Sequence, residues 1–132
     1  AKLRALKMLS PQVLQAYDLE VGFPYTQVRN SYLSSHEDPY WNMLRHTTMA
    51  MSAIIGGGDT LHLKIDEIEK EAFFQRISLN VQHLLREEAK LNKVSDPAYG
   101  SYYIENLTRS IAQSAWKIFQ KIEAEGGVKN KL

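Results

Sequence analysis

The chain opens with apolar residues at helical spacing. Leucines recur every three residues within residues 2–9, which predicts a short amphipathic helix. Ser10 followed by Pro11 is typical of a helix N-cap with proline at the first helical position, so the pattern predicts a new helical start over residues 12–20. A glycine and a proline shortly afterwards end that stretch.

The next segment predicts a strand followed by a helix. Residues 26–33, TQVRNSYL, alternate polar and apolar positions and include β-branched and aromatic side chains, as strands do. Asp38 and Pro39 repeat the cap-plus-proline signal, and glycines 56–58 end the helix that follows. We expect this helix to be buried on more than one side, because its apolar stripe is wide. The stripe comprises Met43, Leu44, Thr47, Ala50, Met51 and Ile54, widened by Met49 and Ala53.

The rest of the chain predicts a short strand and two long helices. The strand is residues 59–63, DTLHL, and the helices cover residues 67–91 and 102–124, with Gly126 and Gly127 ending the second. The apolar face of the first helix comprises Phe73, Phe74, Ile77, Val81, Leu84 and Leu85. The apolar face of the second comprises Ile104, Leu107, Ile111, Ala115, Ile118, Phe119 and Ile122.

The connection SDPAYGSYYIENLT, residues 95–108, could be a ligand-binding loop or the entry to the last helix. Asp96–Pro97 favours a turn, Gly100 permits a tight backbone, and Ser101 suits the N-cap position, so helix entry is the preferred interpretation. We expect the neighbouring aromatic side chains to pack the last helix onto the body of the protein. These are Tyr102, Tyr103 and Trp116.

The predicted order is helix, strand, helix, strand, helix, helix. Two strands joined by a helix indicate a βαβ unit with parallel strands, hence a helix-dominated α/β fold. Two strands are too few for a stable sheet in isolation, so further strands must come from more of the polypeptide or from another copy of the chain. Both ends of the chain look cut, and we expect a fragment of a longer polypeptide.

Composition narrows the functional classes. With 132 residues, 44% apolar, the chain suits one packed domain or a piece of one. A net charge of +1 gives no electrostatic case for nucleic acid or an anionic membrane. The absence of cysteine excludes disulfides and thiolate metal sites, and it favours a reducing compartment. With neither a signal peptide nor a membrane-spanning run in the sequence, we expect a cytoplasmic protein.

Four histidines are the candidate ligands: His36, His46, His62 and His83. None forms the i, i+4 pair of a helical zinc motif, so no metal site is predicted. His46 and His83 fall within helices and are interpreted as packed or surface residues. His62 lies near the end of a predicted strand, where α/β proteins gather functional residues, and it is the one we retain as a candidate.

Two other motifs have mainly structural interpretations. GGGDT resembles a phosphate-binding loop in composition, but it follows a helix and precedes a strand, which is the reverse of the order such loops need. The carboxylates of KIDEIEKE are interleaved with Lys64 and Lys70 at a predicted helix start. A solvated helix start is therefore favoured over a catalytic carboxylate pair.

Three longer stretches carry a family resemblance. They are DPYWNMLRHTTMAMSAIIGGGDTLHL, RISLNVQHLLREEAKLNKVSDPAYGSYYIENLT and AWKIFQKIEAEGGV, at residues 38–63, 76–108 and 115–128. Together they resemble the later part of the substrate-binding (β/α)8 barrel of the methylmalonyl-CoA mutase family. The opening helix and first strand also fit, so the resemblance covers nearly the whole chain in order.

The resemblance implies an adenosylcobalamin-dependent carbon-skeleton mutase, which isomerises methylmalonyl-CoA and succinyl-CoA through radicals supplied by the cofactor. It implies that residues 1–92 supply the last two strand–helix units of the barrel and that residues 93–132 form a trailing helical segment. The earlier strands, which thread the acyl-CoA, and the cobalamin-binding domain are not among these residues. We therefore expect this chain alone to bind no cofactor and to be inactive.

Two departures from catalytic relatives affect the substrate cleft. Catalytic chains of the family usually have glutamine where this chain has Glu37, and asparagine two residues after the strand histidine, where this chain has Lys64. The resemblance makes Glu37, His62 and Lys64 the cleft candidates and leaves no catalytic residue assigned. Both replacements would change the charge of a water-excluded cavity.

The resemblance is strongest to the small subunit of heterodimeric bacterial mutases, to which NMLR at residues 42–45 is also similar. Such subunits are non-catalytic, and they associate with and stabilise the large catalytic subunit. Two alternatives stay open: a segment of a catalytic acyl-CoA mutase chain, and an unrelated helical interaction module. Under the preferred interpretation, apolar surface left exposed by the missing strands should also promote self-association.

Overall fold

The computed structural model describes residues 1–30, 37–64 and 70–128. The elements are α1 (Lys2–Ala16), β1 (Gln27–Arg29), α2 (Pro39–Ile55), β2 (Thr60–His62), α3 (Glu71–Glu87) and α4 (Tyr102–Ala124). Their order and the parallel pairing of β1 with β2 confirm the prediction of a helix-dominated α/β fold with an open sheet.

The chain divides into two compact units. The helical unit comprises Ala1–Pro24 and Ala98–Leu132, and the strand–helix unit comprises Tyr25–Pro97. The division predicted from the family resemblance, between a barrel part and a trailing segment, concerns a longer protein and stays a prediction.

The first helix runs through the proline at which a new start was predicted. α1 is continuous from Lys2 to Ala16, so the assignment of Ser10 as an N-cap was wrong. The Ser10 hydroxyl turns back and donates a hydrogen bond to the Leu6 carbonyl at 2.7 Å, as serine does inside a helix. Pro11 removes an N–H from the ladder, and the packing of α1 on α4 sustains the helix across that position.

α1 and α4 run in the same direction. Arg4 forms an ion pair with Glu105 near the start of both helices, and the Tyr17 hydroxyl donates to Glu123 at 2.5 Å near their ends. Between these contacts the fully buried residues of the two helices are small or short: Ala5, Thr108 and Ala112. This packing face differs from the predicted stripe of α4.

The stripe predicted for α4 was partly wrong. Leu107 and Ile118 are exposed, whereas Thr108 and Ala112, which lie one position along from predicted stripe residues, are buried. The reason is the partner, since α1 presents Ala5 and approaches closely only where α4 has small side chains.

The aromatic residues around the start of α4 also differ from the prediction. Tyr102 is 88% exposed and Tyr103 is exposed beside it, so neither packs α4 onto the described residues. Trp116 is half-buried and stacks on Phe119, with 5.4 Å between ring centroids. Gly100 adopts a positive φ of 79°, as the tight entry to the helix requires. Ser101 occupies the N-cap position, as predicted, without a side-chain capping bond.

The strand–helix unit is built around α2. The Asp38 carboxylate accepts the Tyr40 N–H at 2.9 Å, which confirms the predicted cap. At the other end, Gly57 has a φ of 85°, and the Gly58 N–H bonds to the Ala53 carbonyl at 2.9 Å, which closes the helix as predicted.

The core of this unit lies between α2, α3 and the end of β2. Ala50, Leu63 and Leu85 form its buried centre, and partly buried side chains surround them: Ile54, Leu61, Val81 and Leu91. Phe74 on α3 is fully buried, and Tyr40 meets its ring edge-on at 5.6 Å between centroids.

α2 turns its smaller and more polar side inward. Asn42, His46, Ala50 and Ala53 are its buried residues. Leu44 is 63% exposed, and Trp41 and Met51 are exposed on the same side, so the prediction that Leu44 and Met51 are buried was wrong for these residues. The apolar periodicity located the helix correctly, but it did not show which face of the helix packs against the other elements of this unit.

Candidate functional site

The carboxyl ends of β1 and β2 hold the candidate residues. His62 is the last residue of β2 and Lys64 follows two positions later, and both side chains are exposed. Glu37 is exposed just before the cap of α2. Because α2 leads from the end of β1 back to the start of β2, its first turn lies towards this same edge of the sheet. The structure thus brings His62 and Lys64 together and places Glu37 at the start of the neighbouring helix.

The strand register adds Arg29 to this edge. Arg29 pairs with His62, so the two side chains lie side by side on the same face of the sheet. Both are exposed, whereas Val28 and Leu61, the preceding pair of the ladder, are partly buried. Arg29 was not a candidate from the sequence, although the alternation in residues 26–33 placed it on the polar face of the strand.

Asn30 joins the two strands beyond the last paired residues. Its Oδ1 accepts the Lys64 N–H at 2.8 Å, and its Nδ2 donates to the Lys64 carbonyl at 2.8 Å. Its own N–H donates to the His62 carbonyl at 3.4 Å. The amide therefore substitutes for a further residue of the β ladder and fixes the backbone that carries Lys64. Sequence reasoning missed Asn30, since its role depends on register.

The same amide reaches the buried imidazole of α2. Asn30 Nδ2 lies 3.2 Å from His46 Nε2, and His46 is only 2% exposed. Since Nδ2 can only donate, Nε2 is assigned as the acceptor and the proton of the neutral ring as lying on Nδ1. His46 is thus a packed histidine that positions Asn30, in agreement with its predicted packed or surface role.

Further polar contacts lie at the starts of α2 and α3. Lys70 Nζ donates to the Tyr40 hydroxyl at 3.1 Å and lies 5.4 Å from the centroid of the Tyr40 ring. This contact combines a hydrogen bond with a cation–π interaction. It anchors the start of α3 to the first turn of α2, next to the candidate edge.

The opposite end of the strand pair is closed by Thr26 and Asp59. The Asp59 carboxylate accepts both the Thr26 N–H at 2.7 Å and the Thr26 hydroxyl at 2.6 Å. A side chain on Gly58 would place its Cβ 2.8 Å from a methyl of Val28, so the glycine is needed for the close approach of the loop to β1. These contacts confirm that GGGDT is structural.

The described part of the chain was also considered for metal ligands. No group of three histidine, aspartate or glutamate side chains that could hold a metal ion occurs in residues 1–30, 37–64 and 70–128. His83 is exposed on α3. His36 and most of the acidic KIDEIEKE segment, residues 65–69, lie outside the described residues. In the same described ranges, no helix is both long and apolar enough to span a membrane.

The edge has the chemistry of a polar, cationic surface. Arg29, His62 and Lys64 supply a guanidinium, an imidazole and an ammonium group, while the carboxylate of Asp38 is engaged in capping. Such groups can attract anions.

Comparison with known proteins defines the class of this α/β chain. The family model for methylmalonyl-CoA mutase matches residues 1–132, and the chain belongs to the methylmalonyl-CoA mutase family. It is 38% identical to the methylmalonyl-CoA mutase of Rhizobium meliloti, over 97% of this chain and 19% of the relative.

Small subunits are also among its relatives. The chain is 36% identical to the methylmalonyl-CoA mutase small subunit of Porphyromonas gingivalis, over 96% of this chain and 22% of the relative. It is 34% identical to the small subunit of Propionibacterium freudenreichii subsp. shermanii, over 97% of this chain and 21% of the relative. The chain thus spans about a fifth of the length of the curated relatives it matches.

Proposed function

We propose that this chain is part of a small, non-catalytic mutase subunit that associates with and stabilises the large catalytic subunit of a cobalamin-dependent isomerase. The isomerase would interconvert methylmalonyl-CoA and succinyl-CoA in the cytoplasm. Within that subunit, β1, α2, β2 and α3 would supply the last two strand–helix units of a (β/α)8 barrel, with α4 in the trailing segment.

The observation that carries the proposal is the open two-stranded sheet in a chain whose relatives include small subunits over nearly its whole length. Within the described residues the sheet holds only β1 and β2, each three residues long. A sheet of this size needs further strands or a covering surface to be stable. A barrel formed with more of the polypeptide would provide both.

The exposed apolar side of α2 supports association with other protein surface. Trp41, Leu44 and Met51 face outward, although the buried face of the same helix includes Asn42 and His46. Covering large apolar side chains is favourable by about 25 cal/mol for each Å² removed from water. If the catalytic subunit or the rest of the barrel is missing, self-association would cover the same surface.

The residues at the candidate edge support a non-catalytic role. Lys64 has its backbone fixed by Asn30 and its ammonium group exposed, and Arg29 adds a second cation next to His62. In catalytic relatives the resemblance implies a neutral asparagine at the position of Lys64. Two cationic side chains would alter the electrostatics of a substrate cleft, which favours loss of catalysis here.

We place the corrin cofactor on the catalytic subunit rather than on this chain. His46 is buried against Asn30, His62 lies exposed at a strand end, and no ligand cluster forms around either in the described ranges. Adenosylcobalamin, when bound by the catalytic subunit, supplies the radical chemistry of the isomerisation. We assign to this chain no residue that holds it, and none that acts on the acyl-CoA.

A catalytic segment is the second candidate function. The Rhizobium meliloti relative has the name of the mutase itself and is as similar to this chain as the small subunits are. Under that alternative, Glu37, His62 and Lys64 would line a working cleft.

A chimeric enzyme separates the two candidates. Residues 1–132 replace the matching stretch of a catalytic subunit, and cobalamin absorbance and isomerisation of succinyl-CoA are measured. We expect the chimera to fold and bind cobalamin but to lose turnover, because Glu37 and Lys64 place charges at the cleft. Full turnover would contradict the proposal and favour the catalytic alternative.

Reverting the departures tests the assignment of the residues. Glu37→Gln with Lys64→Asn should restore part of the chimera's turnover, while the matched control Lys93→Asn, an exposed lysine away from the strands, should not. Co-expression of a natural polypeptide that contains this chain with a large mutase subunit should also yield a stable complex. Separate elution of the two proteins would contradict the proposed association.

A further inference from the structure

A cleft lies between α1 and α4. Its residues are separate in the sequence from those at the carboxyl ends of the strands. It has a volume of about 280 Å³, and its apolar walls are Met8, Leu9, Ala112 and Trp116. An apolar cavity of about 150 Å³ is large enough to bind benzene. This cleft therefore has room for an aromatic ring with a short polar substituent.

The two helices that form the cleft are joined by a side-chain contact on each side of it. Arg4 binds Glu105 on one side of it along the helices, and Tyr17 binds Glu123 on the other. The helices are thus held at both ends while the side chains of the cleft lie in between. Helices that are already joined avoid the part of the ordering cost that would come from bringing them together around a small ligand.

The polar groups of the cleft specify a charge. Gln12, Arg109 and Gln113 complete its lining. In the described part of the chain no carboxylate pairs with Arg109, because Glu105, one turn before it, is engaged by Arg4. A guanidinium beside an apolar wall is suited to a carboxylate, which it can bind through two parallel hydrogen bonds. The two amides can supply neutral hydrogen bonds to the same group.

The apolar wall specifies a ring. Trp116 is held in place by stacking on Phe119 and is half-buried, so its indole is a fixed surface. Met8 lies across the cleft, and thioethers make favourable contacts with aromatic rings. Stacking against an indole adds about 0.5–1.5 kcal/mol to the burial of an aromatic ligand.

We propose that the α1–α4 cleft binds a small aromatic carboxylate, with the ring against Trp116 and the carboxylate at Arg109. The proposal is independent of the mutase function, since none of the cleft residues belongs to the strand edge. The expected affinity is weak, with a Kd in the range of about 0.1–5 mM for a ligand of ten non-hydrogen atoms.

The test is a titration of the full chain with small-molecule probes, in which NMR monitors the indole N–H signals at each ligand concentration. Trp41 and Trp116 are the two tryptophans, and Trp41→Phe assigns their signals. Phenylacetate should shift the Trp116 signal in a saturable manner and leave the Trp41 signal in place. Phenylacetamide, the neutral isostere, and phenethylammonium, a cation, should bind at least about tenfold more weakly, because they lose the charge-assisted contact.

Variants then test Arg109. Arg109→Gln should weaken phenylacetate binding by about tenfold or more, and Arg109→Lys should fall between it and the original protein. Lys117→Gln removes an exposed cation of the same helix that does not line the cleft, and it should leave the affinity unchanged. The proposal is overturned if the three probes bind equally, if Arg109→Gln has no effect, or if the Trp116 signal does not respond.

Discussion

The two ends of the β1–β2 pair are closed by different chemistry. At the amino end, the Asp59 carboxylate accepts two hydrogen bonds from Thr26, and Gly58 lies against Val28. At the carboxyl end, the neutral amide of Asn30 both accepts from and donates to the backbone of Lys64. Each end extends a sheet of three-residue strands by using a side chain where a longer strand would use backbone.

The difference between the ends lies in what remains accessible. Thr26 is buried, and Gly58 lies against Val28 and the end of α2. The amino end therefore leaves no space for a ligand beside these two residues. At the carboxyl end the fixed backbone leaves the side chains of His62 and Lys64 exposed. In α/β proteins, ligands bind beyond the carboxyl ends of parallel strands. A closely packed amino end and an accessible carboxyl end fit that arrangement.

Gly58→Ala should have the largest effect, because the new Cβ would lie 2.8 Å from Val28 Cγ2 and 3.2 Å from the Ala53 carbonyl oxygen. Overpacking of this kind costs about 1–3 kcal/mol of unfolding free energy, measurable by urea denaturation. Gly22→Ala is the matched control, as a Cβ there meets nothing within 4 Å. Equal stability of the two variants would show that the amino end is not tightly closed.

Asp59→Ala should come next, since it removes the acceptor of the Thr26 N–H and of the Thr26 hydroxyl. We expect a loss of about 2 kcal/mol, because hydrogen bonds to a charged group are strong and a partly buried N–H would lose its partner. The amide exchange rate should increase more at Thr26 and Thr60 than at Lys64. Glu20→Ala, at an exposed position of the helical unit, controls for the lost charge.

Asn30→Asp should destabilise the carboxyl end by about 1–2 kcal/mol. Aspartate can still accept the Lys64 N–H, but it cannot donate to the Lys64 carbonyl or to His46 Nε2. Amide exchange should therefore increase at Lys64, with Thr26 and Thr60 unaffected. Protection lost equally at both ends would mean that the two closures form a single cooperative unit.

Tyr17→Phe should have the smallest effect on stability. It removes an exposed hydrogen bond, which serves as a comparison for the partly buried contacts at the two ends of the strand pair. The hydrogen bond to Glu123, together with desolvation and the charge of Glu123, raises the pKa of Tyr17 above its ordinary value of 10.0. The neutral phenol is thus favoured in the folded state, so the contribution to stability is present below pH 10.0 and is lost as the pH rises through the folded-state pKa.

The measurement is the urea midpoint of both proteins from about pH 8 to pH 11. The original protein should be slightly the more stable at the lower pH, and the difference should shrink as the pH rises above 10.0. A difference that persists unchanged at high pH would contradict an origin in the hydrogen bond to Glu123.

Local sequence signals located most of the elements. The alternation of residues 26–33 and the cap at Asp38 predicted β1 and the start of α2, because these features depend on neighbours along the chain. The resemblance also led to the correct family, which a match over residues 1–132 shows. His62 and Lys64 were correctly placed next to a strand end, although their proposed role in a cleft stays a prediction.

Features that depend on distant residues were missed. The outward side of α2 and the shifted face of α4 could not be predicted, because periodicity shows that a helix has an apolar side without showing which partner covers it. Asn30 carries no signal either, because its side chain closes this end only when the strand register brings it within hydrogen-bonding distance of the Lys64 backbone. Ser10 and Pro11 misled because their helix-start chemistry is also compatible with a helix interior that packing sustains.

The parallel pairing of α1 and α4 has a consequence for the timing of synthesis. Arg4 and Glu105 are 101 positions apart, so α1 leaves the ribosome long before its partner exists. At about 5–20 residues per second, the delay is about 5–20 seconds, far longer than a helix or a strand pair needs to form. The strand–helix unit, which lies wholly between them in the chain, has all its residues in place first. Within these 132 residues, α1 is thus the earliest helix synthesised but among the last elements to reach its final packing.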